Sequence, residues 1–263
     1  MLKRVAFFTY GCVAYLGFLG TFLYAVGFIG NFGIPTTTLD DPATGPLGQA
    51  LAIDVGLLAL FALQHSVMAR PWFKEHWTRI IPRELERSTY VLFSSLALVA
   101  LFLFWQPIGL TIWSIESPVA RGIVYGLFGL GWTIVLLATF LINHFDLFGL
   151  RQVSLFFAGR PYTRLPFATP LLYRIVRHPL YVGWLFAFWS APTMTAAHLL
   201  FAVMTTGYIL TAIQLEEHDL VEEHGENYRA YRRRVPMLIP LGKRGDAVPR
   251  PAAGVSSRSV ARS

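Results

Sequence analysis

Cysteine is nearly absent from this chain: Cys12 stands alone, so no intrachain disulfide can form and nothing in the sequence reports a redox compartment. Charge is also scarce. Only 14% of the 263 residues are charged while 54% are hydrophobic, and the mean hydropathy is +0.50, which argues against a soluble globular domain. The seven histidines lack tight metal-ligand spacing, so no metal is expected. A small-residue cleavage site after the first apolar stretch is missing too, and that stretch far exceeds the 7–15 residues of a signal core. It is therefore expected to stay attached.

What the sequence has in abundance is long apolar runs, several of them reaching the roughly 20 residues that a bilayer crossing requires. Crossings are expected at about 5–31, 47–68, 90–105 and 119–142, followed by two helical stretches at 180–190 and 193–215. Ala191-Pro192 breaks this last pair, because proline cannot continue the backbone ladder. The stretch 180–190 is too short to cross unaided. The expected fold is all-α: a polytopic membrane protein of about five or six transmembrane helices, the last forming a helical hairpin, in one domain over 1–243 with a disordered basic tail at 244–263.

A net charge of +7 and a pI near 9.8 could suggest nucleic acid, but the cations alternate along the chain. Lys3 and Arg4 precede the first span, and the next loop carries Asp40 and Asp41 without lysine or arginine. Arg70, Lys74, Arg79, Arg83 and Arg87 fill the second loop, only Arg121 the third, and Arg151, Arg160, Arg164, Arg174 and Arg177 the fourth. By the positive-inside rule both termini and the second and fourth loops are cytoplasmic, in a bacterial inner membrane, and basicity reports orientation. The expected surroundings are a lipid bilayer and no nucleic acid.

Polar residues gather at that same face. Gln64-His65-Ser66 ends the second span, Asn143-His144-Phe145-Asp146 the fourth, with Arg151-Gln152 in the loop beyond; Arg177-His178-Pro179 opens the hairpin and Glu216-Glu217 closes it. Ionisable groups near hydrocarbon are costly, so their convergence favours a polar cavity open to the cytosol. Read singly, each group has a plainer role as helix-end cap, loop ion pair or solvated exit.

Pro179 suits the first turn of a helix whose free N–H groups favour an anion. Arg177 could add a bidentate clamp, Tyr181 an aromatic face, and Gly183 room for something flat or bulky. Glu216 and Glu217 could hold an ammonium group or accept from ribose hydroxyls. Anion binder beside cation binder describes a zwitterionic ligand, such as an amino acid or its nucleoside derivative.

From Leu172 onward, "LYRIVRHPLYVGW…LEEHDLVEEHGENYRAYRRRVPMLIP" resembles the C-terminal signature of membrane methyltransferases related to isoprenylcysteine carboxyl methyltransferase and phospholipid N-methyltransferases. R-H-P-x-Y-x-G, E-E-x-x-L, G-x-x-Y-x-x-Y and V-P-x-x-I-P stand in order, over about 172–240. The resemblance implies that this cytoplasmic segment binds S-adenosylmethionine through Arg177, His178, Pro179, Tyr181, Gly183, Glu216, Glu217, Tyr228 and Tyr231. "FLYAVGFIGNFGIP", "ALFALQHSVMARPWFK" and "NHFDLFGLRQ" are similar to membrane-bound methanethiol S-methyltransferases, close to NnrU-type proteins. That implies methyl transfer to a small volatile thiol, with His65, His144 and Asp146 as candidate base or orienting groups and Asn143, Arg151 and Gln152 beside the acceptor. Another thiol, an isoprenylcysteine carboxylate or a phospholipid amine are alternative acceptors. A haem or quinone subunit, with His65 and His144 as axial ligands, is the alternative of a different class.

Overall fold

The structure is a computed structural model, and it describes residues 1–33 and 36–241; the expected tail at 244–263 lies outside the described residues. Among the described residues five helices are long and apolar enough to cross a membrane: α1 (Leu2–Gly30), α2 (Leu47–Ala69), α4 (Arg83–Phe104), α5 (Pro118–Ile142) and α9 (Ala196–His224). Short elements punctuate them: α3 (Pro71–Trp77), β1 (Thr111–Ser114), α6 (His144–Leu147), α7 (Leu150–Phe157), a 3-10 turn (Leu171–Arg174), α8 (Pro179–Trp189), β2 (Thr193–Thr195) and α10 (Glu226–Arg234). The protein is thus a predominantly helical polytopic membrane protein.

Local chemistry sets several boundaries. α5 starts with Pro118 behind Ser117, whose side chain accepts from the Ala120 N–H (3.4 Å), and Thr195 caps α9 by accepting from the His198 N–H (3.3 Å). Gly225, at φ 57°, ends α9 and turns the chain into α10. α9 runs through Glu216 and Glu217, so these carboxylates lie on a helix flank and not at its exit, as the sequence reading had them. The extra turns follow from the charged but strongly helix-forming run LEEHDLVEEH.

The antiparallel spans give the bundle two unlike ends. At the basic end, Arg70 meets Asp219 (2.8 Å) and the Arg87 side chain donates to the Leu147 carbonyl (2.7 Å). Gly149, at φ 86°, opens α7 where an added Cβ would lie 2.6 Å from Ser88 Oγ, so its lack of a side chain lets α7 close onto α4. At the opposite end the fully buried Asp54 accepts from the Gln106 N–H (2.8 Å). There Asp40 accepts from both the Thr195 N–H (3.0 Å) and His198 Nδ1 (2.8 Å). β1 pairs antiparallel with β2, a contact between distant loops that hydropathy does not announce. The 11-residue α8 packs along α5. The core joining these helices is largely aromatic, with Phe28, Phe102, Trp105, Phe128, Trp132 and Phe201 all buried.

Candidate active site

At the basic end the R-H-P and E-E segments meet. Arg177 and Glu217 are both buried, and Arg177 Nε donates to Glu217 Oε1 at 2.7 Å. His178 Nε2 reaches the same oxygen at 3.0 Å, while Arg232 Nε lies 3.1 Å from Glu217 Oε2. Arg177 Nη1 donates to the carbonyls of Arg232 and Val235. Main-chain bonds from the Arg177 and His178 N–H groups to the Pro236 and Met237 carbonyls (2.8 and 3.2 Å) stitch the V-P-x-x-I-P segment beside α8. Tyr231 donates to the Tyr173 carbonyl (2.6 Å), and burial pushes the Tyr228 and Tyr231 hydroxyls up, so both stay neutral.

This geometry revises three expectations. Arg177 Nε and Nη1 are taken by protein acceptors, which leaves no pair of nitrogens for a bidentate clamp on a ligand. Glu217 is neutralised from within. Gly183 serves helix packing: a Cβ there would lie 2.7 Å from the Gly131 carbonyl oxygen and 2.8 Å from the Val135 nitrogen.

Glu216 is different. Its side chain is 45% exposed and accepts from Tyr181 Oη (3.0 Å); among the described residues no lysine or arginine lies within ion-pair distance, and His178 Nδ1 stands 3.8 Å away. Ser66 donates to the Tyr208 oxygen (3.2 Å), bringing α2 against α9. Next to Ser66, His65 has both ring nitrogens engaged, Nε2 by Tyr90 Oη (2.8 Å) and Nδ1 by Ser94 Oγ (3.2 Å). The sequence reading found His65, Tyr181 and Glu216 but missed Tyr90, Tyr208 and Ser94. Its available signal was the run RSTYVLFSS, which puts Ser88, Thr89, Tyr90, Ser94 and Ser95 in an apolar span where all five are buried.

His144 and Asp146 sit in a second group. The Thr139 hydroxyl has one hydrogen, which goes to the Leu136 carbonyl (2.7 Å), so it accepts from His144 Nδ1 (2.9 Å). Nε2 then accepts from the Tyr15 hydroxyl (2.9 Å), and burial lowers the His144 pKa, in keeping with a neutral ring. Phe140 stacks on it at 4.2 Å. His65 and His144 therefore have no free nitrogen for an axial bond, which leaves the haem reading without ligands. Asp146 is held by Arg151 (2.9 Å), by Tyr162 (3.3 Å) and by Gln152, and Arg151 is braced further by Thr163.

Asn143 and Arg151 line an apolar groove of about 560 Å³ with Phe8, Cys12, Phe145, Leu150 and Ser154. Phe148 lies between the two groups: it stacks on Phe18 at 3.8 Å, stands 4.8 Å from the His144 ring and packs against the cluster containing Tyr90 and Met68. Of the candidate bases, His65 lies beside the Ser66–Tyr208 contact that joins α2 to α9, the helix that carries Glu216.

A methanethiol S-methyltransferase of Crocosphaera subtropica is 61% identical over 244 residues, covering 92% of this chain and 95% of the relative. One from Mycobacterium tuberculosis is 51% identical, covering 91% and 98%. Nurim of Xenopus laevis is more distant, at 30% identity over 180 residues, 64% of this chain and 62% of nurim. No family model matches, and no solved structure matches.

Proposed function

The chain belongs to the methanethiol S-methyltransferase family, and from that membership we propose that it transfers a methyl group from S-adenosylmethionine to methanethiol, giving dimethyl sulfide and S-adenosylhomocysteine. The observation that carries the donor site is Glu216, a partly exposed carboxylate held by one phenol beside a knot in which Arg177, His178, Glu217 and Arg232 satisfy one another. The residues fit the donor. Glu216 would accept from its ammonium or ribose hydroxyls, and the first turn of α8, where Leu180 and Tyr181 have N–H groups without helical partners, would face its carboxylate. Arg177, His178 and Glu217 shape this site by fixing α8, α9 and the segment after α10. Tyr228 and Tyr231 hold the cover in place.

When bound, S-adenosylmethionine supplies an activated methyl group, so the protein's tasks are alignment and ionisation of the thiol. Free alkyl thiols titrate at or above about 8.5, and a base is useful at neutral pH. The hydroxyl and imidazole network of Tyr90, His65 and Ser94, beside the contact of Ser66 with α9, would be the proton acceptor. Methanethiol is small and apolar and would enter from the lipid. The basic end is assigned to the cytoplasm, where both termini and the donor site then face. α8 and α9 make a hairpin whose open ends, carrying the donor signature, would face the cytoplasm.

The test is gas chromatography of the headspace over purified protein given S-adenosylmethionine and methanethiol, with calorimetry of donor binding. Dimethyl sulfide that requires both substrates, and a Glu216→Gln variant with weakened donor affinity, are expected. Donor binding without dimethyl sulfide would sink methanethiol as acceptor. Unchanged affinity in Glu216→Gln would remove Glu216 from the donor site.

A further inference from the structure

We infer that the Tyr90 hydroxyl is the catalytic group that takes the proton of the thiol, with His65 and Ser94 as positioning residues behind it. The inference rests on the proposed methyl transfer and goes beyond it by assigning the proton's route.

Three observations carry it. First, the His65 ring offers no nitrogen to a substrate: Nε2 is 2.8 Å from Tyr90 Oη and Nδ1 is 3.2 Å from Ser94 Oγ. Tyr90 Oη also lies 3.4 Å from the His65 carbonyl; in the His65 tautomer that this route requires, the Tyr90 hydrogen goes to Nε2, Nδ1 carries its own hydrogen towards Ser94, and the phenol oxygen retains lone-pair capacity for an S–H donor. Second, Ser66, the chain neighbour of His65, donates to Tyr208 on α9 (3.2 Å), and Phe61 stacks on the His65 ring (5.2 Å) and meets Tyr208 edge-on (6.3 Å). The Tyr90–His65 pair therefore packs beside α9, the helix that carries Glu216, to which the Tyr181 hydroxyl donates. Third, the Arg87 guanidinium lies 5.0 Å from the centroid of the Tyr90 ring, a fixed positive charge beside the phenol. The charged and titratable groups around Tyr90 are His65 and Arg70 on the α2 side, Arg87 and Glu86 on α4, and Tyr208 on α9.

The step balances. The thiol proton passes to Tyr90 Oη as the Tyr90 proton passes to His65 Nε2, leaving imidazolium. The thiolate electron pair forms the new carbon–sulfur bond as the donor's sulfonium–methyl bond breaks and its electrons return to the donor sulfur. His65 then returns the proton through Tyr90 to water.

The experiment measures dimethyl sulfide formation by wild type, Tyr90→Phe and Ser94→Ala from pH 6.5 to 10, with donor binding measured in parallel as a check on folding. Tyr90→Phe should lose about 10²-fold or more in kcat near pH 7 while binding the donor normally. Its deficit should shrink as pH rises past about 8.5, where the thiol ionises unaided. Ser94→Ala, which frees Nδ1 of its acceptor, should show a smaller loss of kcat with the same recovery. Methaneselenol, near in size and already ionised at neutral pH, should be methylated almost equally by Tyr90→Phe and wild type. A deficit constant across pH and equal for both acceptors would mark a structural role and overturn the inference, as would wild-type kcat in Tyr90→Phe. If wild type forms no dimethyl sulfide, the acceptor reading fails and this inference falls with it; an active wild type with an indifferent Tyr90→Phe overturns the inference alone.

Discussion

Glu217 receives hydrogen bonds from Arg177 and His178 on one oxygen and faces Arg232 with the other, at 3% side-chain exposure. A carboxylate so placed is structural before it is anything else, because its removal strands the buried Arg177 charge. Glu217→Ala should destabilise the protein by about 3–5 kcal/mol, read as a lowered melting temperature in detergent. Glu216→Gln, one residue away but 45% exposed, should melt near wild type and lose donor affinity instead. If both variants lost stability equally, the division between knot and binding residue would be wrong. The sequence made the pattern legible but not this division: it fixes an arginine's charge, not whether its anion is a ligand or another part of the chain. His144 shows the same limit. Burial lowers its pKa from 6.5, so below about that pH the unfolded chain binds a proton that the folded chain refuses, and stability falls with acidification. Melting temperature measured from pH 7.5 down to 5 should decline in wild type and decline less in His144→Gln.

At the level of elements, the crossing of α5 and α8 is a close helix contact that substitution can test in both directions. A Cβ on Gly131 would lie 2.7 Å from the Gly183 carbonyl oxygen, and a Cβ on Gly183 would lie 2.7 Å from the Gly131 carbonyl oxygen. Gly131→Val or Gly183→Val should cost about 1–3 kcal/mol through backbone displacement. Gly126→Ala is the control, because nothing stands within 4 Å of a Cβ there. A Gly183→Val protein that melts with wild type would show that the crossing tolerates separation. The four spans before α8 were legible to within a few residues except at the start of α4, where the amphipathic turn RELERST precedes the apolar run that hydropathy detects. The β1–β2 pair was not legible, since its register joins residues about eighty positions apart through backbone groups alone. Gly122 and Gly126 look from spacing like a packing motif, yet neither has a neighbour at its Cβ position.

For the whole molecule the decisive asymmetry is between its ends. Arg70, Arg87, Arg151, Arg177 and Arg232 gather with Glu216 at one end, whereas the other is pinned by Asp40, Asp54 and His198 through neutral main-chain partners and one acid–histidine contact. Moving that many cations across a bilayer is unfavourable, so the basic end is expected in the cytoplasm, where a charged methyl donor would reach Glu216 without crossing lipid. The single cysteine makes this testable on intact cells. In a Cys12→Ser background, Thr44→Cys places an exposed thiol at the opposite end and Glu75→Cys one at the basic end. A membrane-impermeant maleimide should label Thr44→Cys on intact cells and Glu75→Cys only after permeabilisation, with headspace dimethyl sulfide confirming that both variants remain active. The reverse pattern would put the Glu216 carboxylate on the outer face and sink a cytoplasmic donor site, while leaving the internal geometry of the Arg177–Glu217 knot untouched.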